Sequence, residues 1–147
     1  MRRLAVFLCT LCLALPLMAA DSAKPERKEQ FGDLTVHYNA FASSVLQPGI
    51  AQATGLIRSK NLGVLNIAAV KAGKTLPANV TGGVKDLTGR EKILTFKQIN
   101  DAGAVYYIAQ FPVDPNTSAT YTFTVNVKAG GDDAHSFSFN QEIYSGD

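Results

Sequence analysis

Tryptophan is absent from the 147 residues, and sulfur is confined to the first eighteen, where Met1, Cys9, Cys12 and Met18 are the only methionines and cysteines. A chain that loses this leader has no disulfide, no thiol nucleophile and no thiolate or thioether metal ligand. Histidine is nearly as scarce, with only His37 and His135. An excess of one charge is missing too. The 14 basic and 12 acidic residues give +2, and removing Arg2 and Arg3 leaves 12 against 12. Lys and Arg are scattered rather than gathered on one stretch, so no nucleic acid partner is expected. Beyond Ala20 no apolar run is long enough to cross a bilayer as a helix.

What is present at the N-terminus is an address. Arg2 and Arg3, the apolar run Leu4 to Leu15, and the stretch Pro16 to Ala20 before Asp21 have the order of a secretory signal peptide. Cleavage is predicted after Ala20, with Ala19 as the alternative. Cys9 follows Phe7-Leu8 and Cys12 follows Leu11, not the small residues that precede a lipidated cysteine, so no stable membrane anchor is expected after cleavage. The expected organisation is a signal peptide over 1–20, a flexible N-terminal segment over 21–30 broken by Pro25, and a single domain over 31–147. The expected location is the periplasm or the exterior.

Hydrophobic period two dominates the rest. Tyr121, Phe123, Val125 and Val127 alternate with Thr122, Thr124, Asn126 and Lys128, and Leu34, Val36 and Tyr38 alternate with Thr35, His37 and Asn39. Such alternation gives a strand one core face and one wet face. Further strands are predicted over Leu62–Val70, Leu76–Leu87, Glu91–Ile99, Ala104–Pro112 and Ala134–Tyr144, separated by Gly, Asp, Asn and Pro turns. Gly82-Gly83 predicts a bulge, and Pro77 fits the start of a strand. Between the first and second strands, Pro48 opens and Gly55 closes one short helix. The expected fold is all-β: a seven-stranded antiparallel immunoglobulin-like β-sandwich with one short helix.

Several motifs dissolve on inspection. Ala68 to Thr75, "AAVKAGKT", has the Gly-Lys-Thr of a phosphate loop, but Leu76-Pro77 and a strand follow where that loop needs a helix N-terminus. The residues read as a hairpin turn. Asn79-Val80-Thr81 and Asn116-Thr117-Ser118 match the glycosylation acceptor pattern, and are chance matches if the host is bacterial. His135 lies near Asp132 and Asp133, a pattern better explained by a solvated turn than by a metal site, and His37 shares a polar face with Thr35 and Asn39. Serine motifs and paired carboxylates are not evident, and Tyr38, Tyr106, Tyr107 and Tyr144 suit cross-strand packing. No catalytic residue, cofactor site or metal site is expected.

One connection stands out by length. Leu46 to Asn61 carries its own helix and ends on Arg58, Ser59, Lys60 and Asn61, and long connections in compact domains tend to be functional. These four residues are the candidate interaction surface, with a structural role for Arg58 and Asn61 left open.

The runs "GDLTVHYNAF", "LQP", "GLIRSKNLGVLNIAAVK", "LTGREKILTF" and "AVYYIAQFPV" together resemble a proteobacterial family of small exported proteins, domain of unknown function 4426. The resemblance covers Phe31 to Tyr144 and implies a Gram-negative periplasmic β-rich domain. It implies no reaction, cofactor or catalytic residue. Two functions are therefore weighed. One is a non-catalytic binding or adaptor module for another envelope component, its partner an unidentified envelope protein. The other is an envelope enzyme of unrecognised type acting on a periplasmic polymer.

Overall fold

The computed structural model describes residues 27–146; the predicted signal peptide and its cleavage site lie outside the described residues. The strands are β1 (Lys28–Phe31), β2 (Leu34–Ala42), β3 (Leu62–Lys71), β4 (Lys74–Thr75), β5 (Ala78–Lys85), β6 (Glu91–Leu94), β7 (Lys97–Asp101), β8 (Ala104–Pro112), β9 (Thr117–Ala129) and β10 (His135–Ser145). A 3-10 turn, Ser43–Val45, and one helix, α1 (Pro48–Thr54), lie between β2 and β3. The chain is mostly β, in two antiparallel sheets. One has the order β1-β2-β3-β8-β7, with β4 also on β3, and the other has the order β10-β9-β5-β6.

Apolar faces of the two sheets meet in a single core. Leu34, Val36, Leu65, Ile67 and Phe111 come from the first sheet, and Phe123, Val125 and Val127 from the second; all are essentially fully buried. Each such side chain contributes roughly 1.5–3 kcal/mol of burial energy. Aromatic rings join the sheets directly. Phe123 of the second sheet meets Phe111 of the first edge-on at 5.2 Å and 73°, and stacks within its own sheet on Phe139 at 4.9 Å between centroids. Gly63 pairs with Phe111 across β3 and β8, and a Cβ there would stand 2.5 Å from the Phe111 ring. The glycine lets the ring lie flat across the strand.

The structure departs from the sequence reading in four places. Lys28 to Gln30, expected in the flexible segment, form β1 by pairing with Thr35 to His37. Lys74 and Thr75 make the additional short strand β4 on β3. Glu91–Ile99, expected as one strand, divides at Thr95-Phe96: β6 pairs with β5 in one sheet and β7 with β8 in the other. Leu94 is buried beneath the second sheet, and the chain must cross to bring Lys97 to Ile108. Gly82-Gly83 forms no bulge, because the β5–β9 register runs unbroken from Ala78↔Ala129 to Lys85↔Thr122. Gly82 is required for a different reason: its Cβ would lie 2.4 Å from the Thr124 carbonyl oxygen.

Register also gives the fold two unlike ends. One end holds tight turns at Gly32-Asp33, Ala72-Gly73, Ala102-Gly103 and Gly130 onward. Ala72 (φ 54°) and Gly73 (φ 79°) are both left-handed, the geometry of a two-residue hairpin turn. The Gly-Lys-Thr stretch is therefore a hairpin, with no helix after it. At this end the Lys71 ammonium sits 2.9 Å from Asp132 and 3.9 Å from Asp33. The hydrogen bond that it donates to Asp132 raises its pKa, opposed by partial desolvation and helped by both acidic charges. The other end carries the β2–β3 connection, the β5–β6 turn and the β8–β9 loop.

Candidate functional site

The β2–β3 connection is irregular in shape but firmly tied down. Ser43, fully buried, donates from its hydroxyl to the Ile57 carbonyl and accepts the Ser59 N–H at 3.2 Å. Gln110 of β8 reaches Ile57 through its side-chain amide as well. Pro48 at the first turn of α1 and Gly55 in a left-handed C-cap (φ 74°) mark the helix where the sequence placed it. Lys97 of β7 donates to the Thr54 carbonyl at 2.9 Å, putting a cation on the helix's last turn. Only Ala51 of α1 is buried. Val45, Ile50 and Ile57 are left 66%, 50% and 61% exposed, which is unusual for one short segment.

The four candidate residues lie at the base of this connection. Arg58 donates from Nε to the Leu46 carbonyl at 2.7 Å, with a longer 3.5 Å contact from Nη2 to Ser44, so its side chain staples the loop. Ser59 bonds back to Ser43 and its hydroxyl accepts the Asn61 N–H at 3.0 Å. The Lys60 carbonyl accepts the Ser145 hydroxyl, and the Asn61 carbonyl accepts the Val113 N–H at 2.9 Å. Arg58, Lys60 and Asn61 are all exposed. The main-chain contacts give the segment a structural role.

Beside it opens a cleft of about 240 Å³, at the mouth between the sheets. Its lining includes the buried Val84 and Val113, the exposed Pro112, and the polar Arg90, Lys92, Asp114 and Tyr121. The β5–β6 turn shapes one side. Asp86 caps that turn through one carboxylate oxygen, which accepts the Thr88 N–H, the Thr88 hydroxyl and the Arg90 N–H at 2.9, 2.6 and 3.0 Å. Its other oxygen accepts Arg90 Nε at 3.1 Å. These bonds, the Thr88 hydroxyl foremost, hold the Asp86 carboxyl below its ordinary pKa of 3.8 against a smaller desolvation effect. Lys92 pairs with Val84 across β5 and β6, so the two share the face toward the other sheet. Tyr121, buried, accepts the Asp114 N–H at 3.4 Å. Desolvation raises its phenol pKa, with the Asp114 N–H as a partial offset, so the hydroxyl stays protonated at neutral pH.

Sequence reasoning did not find the cleft. Its lining comes from three separated stretches, and no motif spacing unites them. The other residues weighed in the sequence have structural employment. Asp132 is paired with Lys71, and the His135 ring stacks on Phe31 at 4.5 Å. Tyr107 is buried, and its hydroxyl accepts the Ala78 N–H at 2.8 Å, while Tyr38 packs on Phe137 and Phe139. Among the described residues no group of three or more His, Cys, Asp or Glu could hold a metal ion, and no helix is long and apolar enough to cross a membrane.

Residues 28–146 match the family described as Domain of unknown function (DUF4426). The chain belongs to this family. A solved DUF4426 family protein from Pseudomonas aeruginosa PAO1 is 48% identical, with a TM-score of 0.73 over 82% of this chain and 95% of that one. Two structures of FetP from uropathogenic Escherichia coli strain F11 are more distant. A copper-bound variant is 12% identical, with a TM-score of 0.55 over 80% of this chain and 93% of that chain. The as-isolated protein, expressed recombinantly in the E. coli periplasm, is 13% identical, with a TM-score of 0.57 over 81% and 94%. At such identity the likeness to FetP shows fold alone. No curated protein matches this chain.

Proposed function

We propose that this DUF4426 domain is a non-catalytic binding module of the bacterial envelope, held on an immunoglobulin-type scaffold and working in the periplasm. The order β2-β3-β8-β7 reads as strands A-B-E-D of such a sandwich, and β10-β9-β5 as G-F-C, with β6 added beside C. Tyr121, near the start of β9 and bonded to the Asp114 backbone in the preceding loop, resembles the tyrosine corner of that fold class. The leader over 1–20 supports export.

The observation that carries the binding role is the asymmetry of the two ends. The long β2–β3 connection, the cleft, and the exposed Val45, Ile50, Ile57 and Leu87 lie at one end; the other carries only short connections. Loops grouped on one end of a rigid sandwich are a common arrangement for recognition. Arg58, Ser59, Lys60 and Asn61 then serve as the frame of the surface, with Lys60 available at its rim.

Photocrosslinking residues placed at Ile50, Ile57 and Leu87, and separately at Ala72 and Ala102, test this in exported protein. Discrete adducts are expected from the first set and none from the second. Equal labelling from both ends, or none from either, would overturn the reading.

A further inference from the structure

The cleft at the loop-bearing end has a specific charge pattern. Asp86 and Arg90 neutralise one another across 3.1 Å within the β5–β6 turn. That leaves Lys92 and Asp114 as the lining charges with no hydrogen-bond or ion-pair partner among the described residues, and they do not pair with each other. One is an ammonium on the β6 side and the other a carboxylate on the β8–β9 side. The buried Val84 and Val113 form the apolar floor of the same cleft, with Pro112 at its exposed edge. The Tyr121 oxygen takes the Asp114 N–H, but its own proton meets no acceptor among the described residues.

We propose that this cleft binds a small zwitterion with an apolar body, of amino-acid size, its carboxylate toward Lys92 and the Tyr121 hydroxyl and its ammonium toward Asp114. This deepens, and rests on, the binding role assigned above. Three features select that chemistry. Charges of opposite sign on two different elements of the lining, β6 and the β8–β9 loop, favour a ligand carrying both signs over a simple anion or cation, which would gain one contact and suffer repulsion from the other. The floor favours an aliphatic side chain over a sugar, because burying hydroxyls against Val84 and Val113 would leave them unpaired. A volume of about 240 Å³ lies below the size of pockets that hold drug-like molecules, which limits the occupant to about one residue.

An inward-facing lysine on a short edge strand can also serve only to deter strand pairing. That role asks nothing of Asp114 or the Tyr121 proton. The two roles therefore part on the Asp114 side of the cleft.

The test is titration of the folded domain with L-leucine, N-acetyl-L-leucine and L-leucinamide, followed by backbone amide shifts in two-dimensional NMR. Leucine should move the Lys92, Val113, Asp114 and Tyr121 resonances, and the two singly charged analogues should bind roughly tenfold more weakly or worse. Lys92→Met and Asp114→Asn, both at exposed positions, should each weaken leucine about tenfold with melting temperature unchanged. Equal binding of all three probes, or no shift at those amides at saturating leucine, would overturn the proposal. If leucine is inert while crosslinks still form at Ile50 and Ile57, the ligand assignment fails and the binding module stands. If leucine binds while neither end crosslinks, the site stands and the wider reading fails.

Discussion

The side-chain amide of Gln110 holds both backbone groups of Ile57: the Ile57 N–H donates to Oε1 at 3.1 Å, and Nε2 donates to the Ile57 carbonyl at 2.8 Å. A single side chain thus does for the β2–β3 connection what a neighbouring strand does elsewhere. Gln110→Ala should cost about 1–2 kcal/mol, the net worth of two hydrogen bonds partly open to water. Melting temperature should fall by several degrees, and the Ile57 amide should exchange with solvent faster than amides of β9.

Arg58 and Lys60 should separate cleanly. Arg58→Ala removes the contacts to the Leu46 and Ser44 carbonyls and should lower thermal stability by about 0.5–1.5 kcal/mol. Among the described residues the Lys60 side chain has no hydrogen-bond or ion-pair partner and its backbone carbonyl accepts the Ser145 hydroxyl, so Lys60→Ala should melt as the parent does. Thermal denaturation of the two variants side by side is the check. Equal melting of both would remove the structural role of Arg58.

Gly82→Ala should destabilise the domain by about 1–3 kcal/mol, the usual cost of overpacking. The clash is with backbone, the Thr124 carbonyl oxygen at 2.4 Å, and the unbroken β5–β9 ladder leaves little room to shift. Urea unfolding should show a lower midpoint with an unchanged slope. Gly49→Ala meets nothing within 4 Å of its Cβ and should not destabilise.

Acid should act partly through the β5–β6 turn. The folded pKa of Asp86 is depressed, chiefly by the Thr88 hydroxyl, so its contribution to stability is present above the unfolded carboxylate pKa of about 3.9 and is lost as pH falls through the lower folded value. Asp86→Asn should therefore melt below the parent at pH 7. The gap should narrow as pH is taken below 4. A gap that stays constant from pH 7 to pH 2.5 would mean that the carboxylate charge does not matter.

Where the chain alternates, the sequence was readable. Tyr121, Phe123, Val125 and Val127 are all buried in β9, and Pro48 and Gly55 bound α1 as their chemistry requires. β1 escaped notice because Lys28 to Gln30 offer no apolar period; they are held by backbone pairing at an edge, with Phe31 the ring that packs on the core. The switch between β6 and β7 escaped because Thr95-Phe96 contains no glycine or proline. Nothing local distinguishes a strand that stays in its sheet from one that leaves it. The cleft was unreadable for a similar reason, since Lys92, Asp114 and Tyr121 become neighbours only when both sheets close.

The crossing at Thr95-Phe96 makes the sandwich resemble a book. Covalent chain joins the sheets where β6 passes to β7, and again where Leu76-Pro77 and the β8–β9 loop cross over, but none runs between β2 and β10. On that open side, where Tyr38 packs on Phe137 and Phe139, Arg27 adds a guanidinium 5.4 Å from the rings of both Tyr38 and Phe139 that donates to the Asn140 carbonyl at 2.7 Å. The guanidinium is a clasp opposite a spine. Breathing of the domain should begin there, baring Tyr38, Phe137 and Phe139 before the spine edge moves, so one side chain just ahead of β1 governs how often the aromatic interior meets water.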